Sequence, residues 1–315
     1  MIDNLTVASS PHIRSRLNTR SIMYLVILAL IPTGIAGVYI YGLSSLKVIA
    51  ISILACVFSE AIFLRFRKKD PLAILDGSAI LTGLLLAYNL PPEVPFWLPI
   101  AGSMVSIIIG KQIFGGLGHN IFNPALVGRV FLQISWPVYM TTWKDPRWIS
   151  DAVTSATPLA KEGSANFSYI DLFLGNHGGC IGEVCILALL LGGAFLLLMN
   201  IISFHTPFSF IGTVMVLGWV FGKDGFFTGD FLFHLLAGGL VLGAFFMATD
   251  YVTGPLTKKG KVIFGIGCGI LTILIRLKGS YPEGVSYSIL FMNALTPLID
   301  RYTKIKKYGF IKNKK

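Results

Sequence analysis

The chain has 315 residues, of which 54% are hydrophobic and 13% charged, and its mean hydropathy is +0.73. An ordinary soluble domain carries about 25% charged residues, so most of this surface is built for lipid and a soluble enzyme of one or two domains is excluded. The formal net charge of +11 invites a nucleic-acid reading, which the placement of the charges has to decide.

The first twenty residues are polar and basic, and the apolar run after them outlasts a signal-peptide h-region, so the first span is expected to stay in the mature chain. Apolar blocks then recur near 21–43, 45–64, 72–91, 95–110, 117–135, 181–201, 206–222, 230–249, 262–276 and 285–300. Each is close to the ~20 residues that a helix rising about 1.5 Å per residue needs to cross the hydrocarbon. The blocks predict an all-α, polytopic integral membrane protein of about ten transmembrane helices.

With the N-terminus inside, the inner side collects Arg14, Arg16, Arg20, Arg65, Arg67, Lys68, Lys69, Lys111, Lys258, Lys259, Lys261, Arg301 and the six lysines of the tail, which is 18 of 26 Lys and Arg. The outer side holds Lys47, Lys144, Arg147, Lys161, Lys223 and Lys278, while Arg129 and Arg276 lie within or at the end of spans. Cytoplasmic loops of membrane proteins are enriched in Lys and Arg, so topology accounts for the charge and lipid, not nucleic acid, is the expected partner. The resulting division is a cytoplasmic segment 1–20, a first membrane half 21–135, an extracytoplasmic loop 136–180, a second half 181–300 and a basic cytoplasmic tail 301–315.

Several blocks, such as LAILDGSAILTGLLLAYNLPP, HNIFNPALVGRVF and AGGLVLGAFFMATDYVTGP, carry internal Gly, Pro or acid and read as broken helices. Such breaks are tolerated at membrane depth only where the freed backbone faces protein or a polar cavity. A shift of 160 residues sets Gly83 on Gly243 and Pro95 on Pro255. Five spans on each side of the long loop would make the halves an inverted 5+5 repeat with sites at their interface; chance recurrence in a chain with 34 glycines is the competing explanation. Of the four cysteines, only Cys180 and Cys185 are close in sequence, at a spacing that matches no common zinc or iron–sulfur pattern, so no metal is expected on this chain and packing explains them.

The long loop contains DAVTSATPLA, a small hydroxyl cluster in an apolar chain. A covalent attachment site needs a hydroxyl in an exposed segment that a modifying enzyme can reach. Asp151, Thr154, Ala156 and Thr157 fit D-x-x-[S/T]-x-A-T, a pattern that resembles the acceptor motif on which flavin transferases esterify FMN to the terminal threonine. The alternative is that Thr154, Ser155 and Thr157 only satisfy turn backbone.

Over nearly its whole length the chain resembles the NqrB/RnfD family of membrane subunits. The matching blocks are DGSAILTGLLLAYNLPPEVPFWLP, GKQIFGGLGHNIFNPALVGRVFLQISWP, DAVTSATPL, GCIGEVCILALLLGG, FFMATDYVTGPLT and YPEGVSYSILFMNALTPLIDRY. The short N-terminus lacks the extension typical of NqrB, and SATPLA is closer to the Rnf version. The resemblance implies FMN held covalently on Thr157, with Asp151, Thr154, Ser155 and Ala156 read by the transferase. It implies an electron-transfer subunit of an ion-translocating ferredoxin:NAD oxidoreductase in a bacterial or archaeal cytoplasmic membrane, working with other membrane subunits, an FMN-bearing G subunit, and iron–sulfur and NAD-binding subunits. An NqrB-type subunit of a sodium-pumping NADH:quinone oxidoreductase is the nearest alternative. A channel or transporter is the other, since the family's fold is thought to be similar to urea channels.

The family often carries a second, non-covalent flavin such as riboflavin. Asn120, Asn123, Arg129 and Asp250 are the candidates for it, because polar and ionisable groups in spans are functional hypotheses by default. Asn120 and Asn123 serve equally well as caps for a half-helix starting at Pro124, and Asp250 as a partner of Lys258 or Lys259. Glu60 and Asp76 are candidates for a cation path, with Asp76 alternatively a cap.

Overall fold

The computed structural model describes residues 18–68, 71–148, 159, 168–222, 225–279 and 284–304, with 71–73 in backbone only. The attachment-motif residues Asp151, Thr154, Ser155, Ala156 and Thr157 lie outside these described residues, although Leu159 lies within them.

Helix α1 (Thr19–Tyr41) starts where Asn18 accepts a hydrogen bond from the Ser21 N–H at 2.7 Å, and ends at Gly42. Gly42 has φ +82°, a conformation that L side chains avoid, and so turns the chain directly into α2 (Leu43–Phe66). With α12 (Lys258–Lys278), these are the three described helices long and apolar enough to cross a membrane unaided. The remaining membrane-embedded elements are shorter. A 3-10 turn (Pro71–Asp76) leads into α3 (Ser78–Tyr88), and α4 (Trp97–Ile107) continues as a π-helical segment (Ile108–Gln112). Next come α5 (Pro124–Ser135), α6 (Pro137–Thr141), α7 (Tyr169–Leu174), α8 (Ile186–Leu198) and α9 (His205–Val220). A two-residue strand pair (β1 Phe221–Gly222, β2 Gly225–Phe226) precedes α10 (Phe231–Leu236), α11 (Leu240–Leu242) with its π continuation (Gly243–Met247), and α13 (Val285–Tyr302) follows α12.

Each apolar block of the sequence contains a helix, but several expected spans are corrected. The block 117–135 is helical only from Pro124, because Gly115, Gly116 and Gly118 all have positive φ and Asn123 caps the helix that follows. The block 181–201 is helical from Ile186, and 230–249 is split at Gly238, with φ +73°. The long loop also carries two short helices, α6 and α7. A 12- or 13-residue helix covers about 20 Å of a ~30 Å hydrocarbon layer, so irregular backbone must lie at depth and find partners there. It does so between residues 179 and 183: the Ile181 N–H donates to Leu90 O at 3.1 Å and the Gly182 N–H to Tyr88 O at 2.9 Å.

Lipid gives helices no hydrophobic reason to associate, so their contacts rest on close packing of small residues. In the first half α2 packs on α3 and α4, and α4 on α5; in the second half α12 packs on α9 and α13. The halves meet where α1 packs on α8. There a Cβ on Gly192 would fall 2.1 Å from Ala29 O, and one on Gly83 would fall 2.7 Å from Ile53 Cα at the α2–α3 contact. Leu28, Ile35, Tyr39, Leu54, Phe58 and Leu198 stay exposed, as a lipid-facing surface requires.

Candidate functional site

Both ends of the long loop are fastened to the same face of the helices. The Arg147 N–H donates to Ile40 O at 3.2 Å, its guanidinium lies against Gly42, and Lys144 pairs with Glu93 in the α3–α4 connection. Trp148 donates through Nε1 to Asn176 Oδ1 at 3.2 Å and its ring lies 5.7 Å from that of Tyr39. On the far side of the motif, the Tyr169 hydroxyl donates to Asp230 Oδ2 at 2.8 Å, and this bond to a carboxylate raises the phenol's pKa. Leu159, two residues past Thr157, is partly buried with Cδ1 2.8 Å from the point a Gly238 Cβ would occupy. The described residues that flank the motif are thereby held against the last turn of α1 on one side and against Asp230 and the α10–α11 break on the other.

Beneath it His177 is buried, and burial pulls its imidazole down to about 4, against a weaker opposing pull from the backbone hydrogen bond and charge of Asp171 and the charge of Asp145. The backbone carbonyls of His177 and Gly179 each accept from the Tyr41 hydroxyl at 3.2 Å. Deeper still, the α5 residue Arg129 donates to Asn89 and pairs with Glu183 at 3.3 Å, with Cys180 Sγ 3.8 Å from Nη2. Glu183 in turn lies against Gly239, where a Cβ would stand 2.7 Å from Oε1. Arg276 approaches the same break from α12, donating through Nη1 to His234 O at 2.6 Å and through Nη2 to Ala237 O at 2.9 Å.

The four second-flavin candidates divide. Asn123 and Asp250 line one cleft with Leu81, Phe245, Phe246 and Tyr251, while Asn120 and Arg129 do not line it. Asn123 Oδ1 accepts from the Ala125 and Leu126 N–H groups, so it caps α5, and its Nδ2 reaches Met247 O at 3.4 Å in the other half. Asn120 donates to Phe122 O within its own loop. Asp250 accepts from the Val252 N–H and the Thr253 hydroxyl and makes no ion pair with Lys258 or Lys259.

At the opposite face, Gly77 is the N-cap residue of α3, and Asp76 before it accepts from the Ser78 N–H at 2.7 Å and from the Ser78 hydroxyl. Lys111 is not an inner-loop cation as the charge count supposed. It is 2% exposed in the π segment after α4, 2.6 Å from Glu60 and 2.5 Å from the Ser78 hydroxyl, and Gln112 donates to the same Glu60 oxygen. Pairing with an acid 51 residues earlier in the chain is what draws it inward. The sequence reading missed Glu183 and Asn89; an acid inside the apolar block GCIGEVCILALLLGG was the available signal for the first.

These broken, glycine-packed helices around buried ion pairs define a multi-pass membrane protein with polar sites at its helix breaks. The sequence profile of the NQR2, RnfD, RnfE family matches residues 6–309, and the chain belongs to that family. It is 49% identical, over 96% of each chain, to the D subunit of the proton-translocating ferredoxin:NAD(+) oxidoreductase complex of Clostridium ljungdahlii. It is also 49% identical to the D subunit of the Na(+)-translocating ferredoxin:NAD(+) oxidoreductase complex of Acetobacterium woodii, over 99% of this chain and 98% of that one. The D subunit of the ion-translocating oxidoreductase complex of Stutzerimonas stutzeri is 40% identical over 91% of each. Two relatives named for different ions are equally similar, so overall identity does not carry the choice of ion.

Proposed function

We propose that this chain is the D subunit of an ion-translocating ferredoxin:NAD oxidoreductase complex and carries FMN as a phosphoester on Thr157. The observation that carries the reading is D-A-V-T-S-A-T at 151–157, in a loop whose two ends are fastened to one face of the helices, in a chain 49% identical over its length to two such subunits. The surroundings fit a tethered anion, since Arg147 and Arg276 bring cations to the loop's two anchoring points. The flavin would supply the electron-transfer chemistry, and the protein its position. Asp151, Thr154, Ser155 and Ala156 present the acceptor hydroxyl to a flavin transferase. The loop and both fastenings lie outside the cytoplasm, with both termini inside.

A second, non-covalent flavin, riboflavin or a relative, occupies the cleft of Asn123, Asp250, Phe245 and Phe246, where aromatic faces and amide and carboxylate groups converge. Iron–sulfur and nucleotide chemistry falls to partner subunits, including the FMN-bearing G subunit. The matching order of helix contacts in the two halves, α2–α4–α5 and α9–α12–α13, supports an inverted repeat.

The test is to express the chain with a flavin transferase, denature it and view the gel under ultraviolet light. A fluorescent band that Thr157→Ala abolishes is the expected result. A dark wild-type band from transferase-competent cells would overturn the reading and favour a channel.

A further inference from the structure

We propose that the short hairpin after α9, with Trp219, Phe221, Phe226 and Phe227, is an interfacial anchor that lies in the lipid headgroup layer on the long-loop side of the membrane. All four rings are uncovered, at 47%, 44%, 73% and 59% exposure. The pairing of Phe221 with Phe226 brings two of them to 6.1 Å across the strands, and Trp219 and Phe227 stand 5.1 Å apart. Phe227 has φ +66°, a conformation that a bulky residue keeps only where its surroundings impose it. Its N–H donates to Val220 O at 2.9 Å, and the Gly229 N–H donates to Trp219 O at 3.1 Å. The backbone is thus tied to the end of α9 while the rings stay bare.

The neighbouring helix gives the depth. α9 and α12 run parallel, because a Cβ on Gly265 would fall 2.8 Å from Thr206 O, and one on Gly269 would fall 2.6 Å from Thr213 Cβ and 3.1 Å from Phe210 O. Beyond that second contact α12 continues for nine residues, from 269 to its end at Lys278, and α9 for seven to ten, from 213 or 210 to its end at Val220. At about 1.5 Å per residue the two ends are level to within about 3 Å. The 21 residues of α12 cover about 31 Å, close to the thickness of the hydrocarbon layer. A hairpin that begins at Phe221 therefore starts where the hydrocarbon ends. Lys278 is exposed at the same level, as suits a charged group reaching out of that boundary.

Lipid is the occupant that this position favours. On α9 the exposed residues Phe208, Val216 and Trp219 share one helix face, and a Cβ on Gly212 between them would meet nothing within 4 Å. The hairpin continues this lipid-facing stripe. Four bare aromatic rings are costly in water and stable at the headgroup level, where Trp is enriched and Phe inserts. The anchor also has something to hold. Three residues past Phe227, Asp230 caps α10 by accepting from the Phe233 N–H at 2.9 Å, and it accepts from the Tyr169 hydroxyl at 2.8 Å. The hairpin therefore ties the return of the long loop to the membrane surface.

The test places the full-length chain in bilayers of phosphatidylcholine brominated on the acyl chain, either near the headgroup or near the chain end. The emission lost in Trp219→Phe isolates Trp219, and the emission gained by adding Phe226→Trp to that variant reports on the hairpin itself. Both signals should be quenched severalfold more by shallow bromine than by deep bromine, and little by acrylamide in the water. Strong acrylamide quenching of Phe226→Trp with no bromine effect would overturn the anchor, because it puts the hairpin in water. So would a bromine effect that disappears when the chain is in its complex, because another subunit then covers the rings. If the Phe226→Trp variant does not fold, the Trp219 signal decides by the same outcomes. The hold on the loop is read by amide exchange, which Phe226→Ser should raise severalfold at residues 169–172; unchanged exchange there would contradict the tie to the membrane surface.

Discussion

Two buried ionic clusters, one at each face of the molecule, are built alike and balanced differently. At the face opposite the long loop, Glu60 and Lys111 lie 2.6 Å apart, with Lys111 also donating to Ser78 and Gln112 donating to Glu60 Oε1, while Glu60 Oε2 and Gln112 Oε1 are buried without a hydrogen-bond partner among the described residues. Their charges cancel. Beneath the loop, Arg129 and Glu183 also cancel, and Arg276 adds a second cation whose hydrogen bonds among the described residues go to backbone carbonyls. Both clusters sit where a helix departs from α geometry, at the π segment Ile108–Gln112 and at the break around Gly238, and such departures concentrate at functional sites. The difference is one of charge: among the described residues the first cluster is neutral and the second carries a further cation.

The sharpest way to break the comparison is to unbalance the neutral cluster. Lys111→Met leaves Glu60 as an uncompensated buried carboxylate, and truncating one partner of a buried pair costs about 3–5 kcal/mol. Thermal unfolding in detergent should show a loss of that order, and the double variant Glu60→Leu, Lys111→Met should recover much of it. No recovery would mean that the two charges do not answer each other.

The loop face has its own pH signature. His177 is neutral when folded, with its pKa lowered from the ordinary 6.5 to about 4 by burial. The unfolded chain therefore takes up a proton between those values while the folded chain does not, so stability falls as pH drops from about 6.5 towards 4, by about 3 kcal/mol for a shift of that size. Unfolding followed across this window should show the slope in wild type and a flatter one in His177→Gln. An equal slope in both would remove His177 from the account.

Packing effects come next. Gly192→Val forces a side chain against Ala29 O at the α1–α8 contact, and overpacking of this kind costs about 1–3 kcal/mol. Smallest is Asn123→Ala, which removes the cap of α5 and its bond to Met247 O for about 1 kcal/mol. If a flavin occupies the adjoining cleft, the same variant should also lower the non-covalent flavin recovered from the purified chain.

Much of this architecture was legible in the chain. Glycine and proline at positions such as Gly238 and Pro124 announce breaks because their backbone chemistry is local, and the apolar blocks announce helices because length and hydropathy are local too. What escaped was pairing at a distance. Nothing near Lys111 distinguishes it from an inner-loop lysine; its partner Glu60 is 51 residues away. Glu183 and Arg129 are 54 apart, and Arg276 read only as a charge at the end of a span. The acceptor motif was plain in sequence, while the docking of Leu159 on Gly238 depends on how the loop folds back.

The most direct test of the account is the mass of the tryptic fragment that contains Thr157, from cells that express a flavin transferase. The account predicts a fragment heavier by one FMN phosphoester in wild type and an unmodified one in Thr157→Ala. An unmodified wild-type fragment, or a modified one that survives Thr157→Ala, would contradict it.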